Sequence, residues 1–112
     1  MPQHFERVNV IRDVLMKILA IEKEFAYKTA EDFQPHLEAE ARSVWELYKS
    51  GVIREIYFRA DRTSAILILE CENLEEAKEI LSTLPLVQEG LIYFDFIELA
   101  PYPGFERLFK VK

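Results

Sequence analysis

The chain has 112 residues, half of them hydrophobic and 30% charged, with a formal net charge of −6 and a pI near 5. That length fits one domain, residues 1–112, and the acidic balance argues against a nucleic-acid partner, which calls for a basic patch. No apolar run approaches the ~18 residues that span a bilayer. The charged N-terminus does not read as a secretory leader, so none is expected, and the single cysteine, Cys71, rules out an internal disulfide framework. The expectation is a cytoplasmic protein with no membrane partner.

Residues 1–13 carry no clear pattern and read as an N-terminal arm. Val14 to Glu22 is short and apolar; its β-branched residues predict a strand. A loop follows through Lys28-Thr29-Ala30-Glu31. The first helix is expected to start at Asp32 as N-cap, with Pro35 tolerated in the first turn. Phe33, Leu37, Ala41, Val44 and Tyr48 recur at helical spacing, widened by Trp45 and Leu47. Glu38, Glu40, Arg42 and Glu46 fall mostly on the other side. Gly51 is the C-terminal stop. Val52 to Ala60 reads as a second strand, Asp61-Arg62-Thr63-Ser64 as a turn, and Ala65 to Cys71 as a third strand. Asn73 caps a second helix, with Glu76 completing a capping-box-like pair. Leu74, Ala77, Leu81 and Leu84 form its buried face, and Pro85 ends it. Leu91 to Leu99 is the last strand. Residues 100–112 read as a proline-stiffened C-terminal arm.

The order βαββαβ predicts an α+β, ferredoxin-like fold: a four-stranded antiparallel sheet with two helices on one face. Side chains alternate along strands. One side is apolar: Met16, Ile18, Ala20; Ile56, Phe58; Ala65, Leu67, Leu69, Cys71; Ile92, Phe94, Phe96. The other is mixed: Leu15, Lys17, Leu19, Ile21; Ile53, Glu55, Tyr57, Arg59; Ile66, Ile68, Glu70; Leu91, Tyr93, Asp95, Ile97. Two helices cover only one side. The mixed face then exceeds the few hundred Å² that monomers tolerate. A second copy packed sheet on sheet would cover it, giving a homodimer and a dimeric α+β barrel. The arm with Tyr102, Phe105 and Phe109 would lie across the partner. The alternative cover is the N-terminal arm.

The polar groups of the mixed face are the candidate chemistry: Lys17, Glu55, Tyr57, Arg59, Glu70, Tyr93 and Asp95. In ferredoxin-like order the first strand neighbours the third and fourth. Lys17 would then meet Asp95 or Glu70, and Arg59 would meet Glu70. An apolar cavity with a few convergent polar groups suits a small-molecule ligand, and a carboxylate placed there suits acid–base work. An ion-pair network that sets dimer register explains the same residues. His4 and His36 read as exposed, Cys71 as an inert buried thiol, and Trp45 as core. No His/Cys cluster, phosphate loop or nucleophile elbow is present, so no metal and no cofactor is expected.

From Gly51 to the tail, the chain resembles the muconolactone isomerase-like group of dimeric α+β barrels. The resemblance rests on Gly51, Arg54, Tyr57, Arg62, Glu70, the turn Leu81-Ser82-Thr83-Leu84-Pro85-Leu86, Asp95, and Leu99-Ala100 with Pro103 after it. It implies a cofactor-free isomerase that moves a proton on a small unsaturated lactone or carboxylic acid. Asp95 or Glu70 would be the base, Tyr57 or Tyr93 the donor, and Arg54 or Arg59 the holder of a substrate carboxylate, with Lys17 and Glu55 nearby. The chain departs from that group with Glu55 and Phe58 where it carries a His and a further Arg. A non-catalytic small-molecule-binding or assembly module on the same fold is the alternative. A heme- or quinone-handling barrel is a third reading, for which His4 and His36 are poorly placed.

Overall fold

The computed structural model describes residues 15–109. The expected N-terminal arm lies outside them, as does the end of the C-terminal arm. Strand β1 spans Met16–Glu24, β2 Ile53–Phe58, β3 Ala65–Cys71 and β4 Ile92–Leu99. Helix α1 spans Ala30–Phe33, α2 Leu37–Ser50, α3 Leu74–Leu81 and α4 Pro85–Gln88. The strands form one sheet in the order β2-β3-β1-β4, with all neighbours antiparallel. The protein is thus α+β, and β1 lies between β3 and β4 as the strand pattern predicts.

Local chemistry sets the element ends. The first helical segment starts earlier than expected: Thr29, not Asp32, is its N-cap, and the Thr29 N–H donates to the Asp32 carboxylate at 2.8 Å. That bond holds the Asp32 carboxyl below the usual aspartate range. Pro35 lacks an N–H and breaks the regular ladder, so a 3₁₀ turn at Gln34–His36 separates α1 from α2. Gly51 ends α2 at φ 90°, a left-handed conformation that suits glycine. Asn73 Oδ1 accepts the Glu76 N–H at 2.8 Å at the start of α3. The Glu76 carboxylate reaches back to the Glu72 N–H at 2.7 Å. Pro85 does not end α3, which stops at Leu81; it opens α4 as the first-turn residue, where a missing N–H costs nothing.

The core lies on the side of the sheet where α2 and α3 pack. Ile18, Ala20, Leu67, Leu69 and Cys71 are buried there beneath Val44 and Leu47 of α2 and Ala77 and Leu81 of α3. Phe94 and Phe96 close it at β4. Two strand positions depart from simple alternation. Ile53 was expected on the mixed face but is 1% exposed and pairs with Leu69. A bulge at Arg54 inserts one residue between Ile53 and Glu55, which turns Ile53 to the core and leaves Glu55 and Tyr57 on the other side. Leu91 precedes β4 and is tucked into a small cluster with Leu86 and Ile92.

The mixed face is uncovered among the described residues. Leu19 pairs with Ile68 on one side and Ile97 on the other, which makes an apolar row across three strands. Beyond β4, Tyr102 and Phe105 meet edge to face with centroids 5.1 Å apart, and both stay exposed. No described helix is long and apolar enough to cross a membrane.

Candidate functional site

The apolar stripe of α2 divides in two. Leu47 reaches the core, Val44 touches both the core and a cleft, and Leu37, Ala41, Trp45 and Tyr48 line the cleft. Trp45 was expected in the core but is 54% exposed. Ile56 and Phe58 were expected under the helices, and Phe58 is 66% exposed. They lie on the helix side, but no helix covers that end of β2. A cleft of about 990 Å³ opens between α2 and the β2 edge of the sheet. Its walls include Phe33, Leu37, Trp45, Tyr48, Ile56 and Phe58. Trp45 and Tyr48 stack at 24° with centroids 6.0 Å apart, and the Lys49 ammonium sits 5.7 Å from the Trp45 ring centre.

Of the four acids that line this space, Glu22, Glu24, Glu40 and Glu55, two are held by backbone hydrogen bonds. Glu22 continues the even-numbered run Met16, Ile18, Ala20 on the helix side of β1, and its Oε1 accepts the Ala65 N–H at 2.8 Å. Glu40 lies one turn before Val44 on α2, and its Oε1 accepts the Leu86 N–H at 2.9 Å. Burial pushes the Glu22 carboxyl above the usual glutamate range; the Ala65 N–H opposes the rise, and the charges of Glu24 and Glu40 add to it. Burial likewise raises Glu40, against the Leu86 N–H. Each carboxyl is thus fixed by one backbone bond and biased toward its protonated form. A carboxyl group so placed is suited to exchange a proton with a bound molecule.

Sequence reasoning missed both residues. It ended the first strand at Glu22 and set Glu40 on the outer side of the helix. The usable signal was periodicity: a charged residue that falls in step with an apolar row faces inward.

The expected site residues fall into two groups. Arg54, Glu55 and Tyr57 border the cleft at the β2 edge. The Tyr57 hydroxyl donates to Glu55 at 2.8 Å, and this bond to a carboxylate raises the tyrosine's pKa. Lys17, Glu70, Asp95, Tyr93 and Arg59 do not line the cleft. Lys17 Nζ is 4.0 Å from Glu70, and Arg54 Nε is 3.9 Å from the same carboxylate. The alternative partner for Lys17 is ruled out by register, since Lys17 pairs with Leu99 and Asp95 pairs with Ile21. Asp95 instead meets Lys23 at 3.9 Å. Tyr93 packs on Phe25, with centroids 4.9 Å apart. Arg59 does not reach Glu70; its guanidinium grips Asp61 at 2.8 and 2.9 Å, which lowers the Asp61 pKa.

His36 is 3.9 Å from Glu89, His4 lies outside the described residues, and Cys71 is fully buried. Among the described residues no group of His, Cys, Asp and Glu is arranged to hold a metal ion. Compared with known proteins, the chain matches no family model and no curated protein.

Proposed function

We propose that the protein is a cofactor-free proton-transfer enzyme of the muconolactone isomerase-like kind, with its substrate in the cleft between α2 and β2. The observation that carries this reading is Glu22: a half-buried carboxyl, held by the Ala65 N–H, in an aromatic-walled cleft of small-molecule size. The reaction is a 1,3-proton shift on a small unsaturated lactone. Glu22 removes a proton from the carbon next to the double bond, the electron pair moves onto the carbonyl oxygen, and the proton returns at the far carbon. Nothing is oxidised or reduced. Glu40, in its protonated form, donates a hydrogen bond to the oxygen that gains charge. Tyr57 and Arg54 stand at the mouth.

The fold we propose is the ferredoxin-like dimeric α+β barrel, with a homodimer formed through the open sheet face. The uncovered row Leu19–Ile68–Ile97 supports it. In that arrangement Glu70 and Asp95 belong to the subunit interface, where their ion pairs with Lys17, Arg54 and Lys23 set its register.

The test is an ultraviolet assay of lactone isomerisation on muconolactone and on its uncharged relative angelica lactone. Wild-type turnover is expected to fall about 10²-fold or more in Glu22→Gln, while Asp95→Asn retains it. Retained turnover in Glu22→Gln removes the base assignment. No turnover of either lactone favours the second reading, a non-catalytic small-molecule-binding or assembly module. One observation speaks for that module: the acids of the sheet face, Glu70 and Asp95, are both matched by cations on the same face.

A further inference from the structure

The arrangement of charge in the cleft points to its ligand class: we infer that it takes an uncharged, flat, largely apolar carbonyl compound and discriminates against carboxylates. This rests on the reading of the cleft as the ligand site, and it departs from a substrate held by its own carboxylate.

Four acids line the cleft, Glu22, Glu24, Glu40 and Glu55, against two cations, Lys28 and Arg54. Arg54 is already within 3.9 Å of Glu70. Lys28 lies in the loop ahead of α1 and is exposed. Glu22 and Glu40, both partly buried, have no cation within ion-pair distance among the described residues. A ligand carboxylate placed beside them would lose water without gaining a counter-charge. An ammonium group gains less than four acids suggest, because burial biases Glu22 and Glu40 toward their neutral forms. A carbonyl oxygen, in contrast, accepts a hydrogen bond from a carboxyl that holds its proton, at no cost in charge burial. The shape agrees. The near-parallel rings of Trp45 and Tyr48 form one wall, and Ile56 and Phe58 form part of the opposite one, so the space favours a flat ring system.

Trp45 is the chain's single tryptophan and lies in the wall, so its fluorescence reports the cleft alone. Three naphthalene probes of matched size separate the possibilities: 2-acetonaphthone, 2-naphthoate and 2-naphthylmethylammonium, titrated near pH ~5.5, where naphthoate is already ionised and the raised carboxyls of Glu22 and Glu40 keep more of their protons than free glutamates do. The ketone is expected to bind at least about tenfold more tightly than naphthoate. In Glu22→Gln/Glu40→Gln the gap is expected to shrink to about threefold or less. If the double variant does not fold, the wild-type ranking decides. Naphthoate binding as tightly as the ketone overturns the inference, and so does an ammonium probe that binds more tightly than the ketone. If none of the three alters Trp45, the cleft is not a ligand site and the functional reading itself falls.

Discussion

Glu22 and Ala65 are joined side chain to backbone one step beyond the last ladder pair of β1 and β3, Ile21–Ile66. The Glu22 carboxylate accepts the Ala65 N–H at 2.8 Å, and the Glu22 carbonyl accepts the Ser64 hydroxyl at 2.7 Å. Ser64 is itself buried. The two bonds carry the β1–β3 pairing past its ladder and pin an acid in the wall of the cleft. On its other side Glu22 stays in the ladder, paired with Phe94 of β4, so both its backbone and its carboxylate are held.

The first prediction concerns pH. The folded pKa values of Glu22 and Glu40 are raised, so the folded state binds protons that the unfolded chain has released. Their effect on stability is neutral below the ordinary glutamate pKa of about 4.3 and turns unfavourable as pH rises through the folded values. Asp32 and Asp61 have lowered pKa values, so their contribution is present above the aspartate reference of about 3.9 and is lost as pH falls through the folded values. Glu40→Gln should therefore raise the urea midpoint near pH 8 and leave it nearly unchanged near pH 4.5. A midpoint difference that does not vary with pH would show that burial of Glu40 is not felt as a charge cost.

The second prediction separates core from cleft. Leu69 and Phe58 both point to the helix side of the sheet, but Leu69 is 0% exposed and Phe58 stays open. Leu69→Ala leaves a cavity and should cost about 2–5 kcal/mol in denaturation. Phe58→Ala removes a larger side chain that buries little, and should cost under about 1 kcal/mol. Equal losses would mean that the wall of the cleft is packed, not open.

Much of this fold is legible in the sequence because its signals are local. Ala65–Cys71 coincides with its expected range, marked by an apolar run rich in isoleucine, and the helix from Leu74 starts where Asn73 places its cap, although it stops at Leu81, short of the expected end at Pro85. Gly51 stops α2 where the pattern places it. The site was harder to read. Its location depends on how far α2 lies from the end of β2, a tertiary quantity that no period encodes. The bulge at Arg54 also depends on pairing with β3 and reverses the side that Ile53 faces. Counting polar residues on the mixed face directed attention to Asp95 and Glu70. The inward pair Glu22 and Glu40 was concealed by setting one at a strand end and the other on the outer helix face.

The third prediction is a local stability test. Asn73 Oδ1 satisfies the Glu76 N–H, one of the free donors at the start of α3. Asn73→Ala should cost about 1 kcal/mol. Asn73→Asp should restore most of it, since a carboxylate accepts the same bond and favours the helix N-terminus. If Asn73→Asp is as unstable as Asn73→Ala, the cap does not act through this hydrogen bond.

The last prediction addresses the open sheet face. Ile68 stands at its centre, paired with Leu19 in β1 and Glu55 in β2, and Leu19 carries the row on to Ile97. Water in contact with that row is unfavourable by about 25 cal/mol per Å² of apolar surface. A second copy removes the contact, and its two-fold axis brings the same residues of both subunits close together. A charge at Ile68 therefore acts twice in the dimer, once by desolvation and once against its own copy. It acts little in the monomer, where the position is only partly buried. By sedimentation, the wild type is expected at twice the 13.2 kDa chain mass and Ile68→Glu at the chain mass, with the same circular dichroism. Asp95→Asn, which keeps the side chain's size and brings no like charges together across the axis, should weaken the dimer far less than Ile68→Glu, although it removes the Lys23 pair that helps to set the register. A wild-type chain that sediments as a monomer would require another cover for the Leu19–Ile68–Ile97 row. A dimer that survives Ile68→Glu would place its interface elsewhere, with the β2 and β4 edges as the remaining strand surfaces.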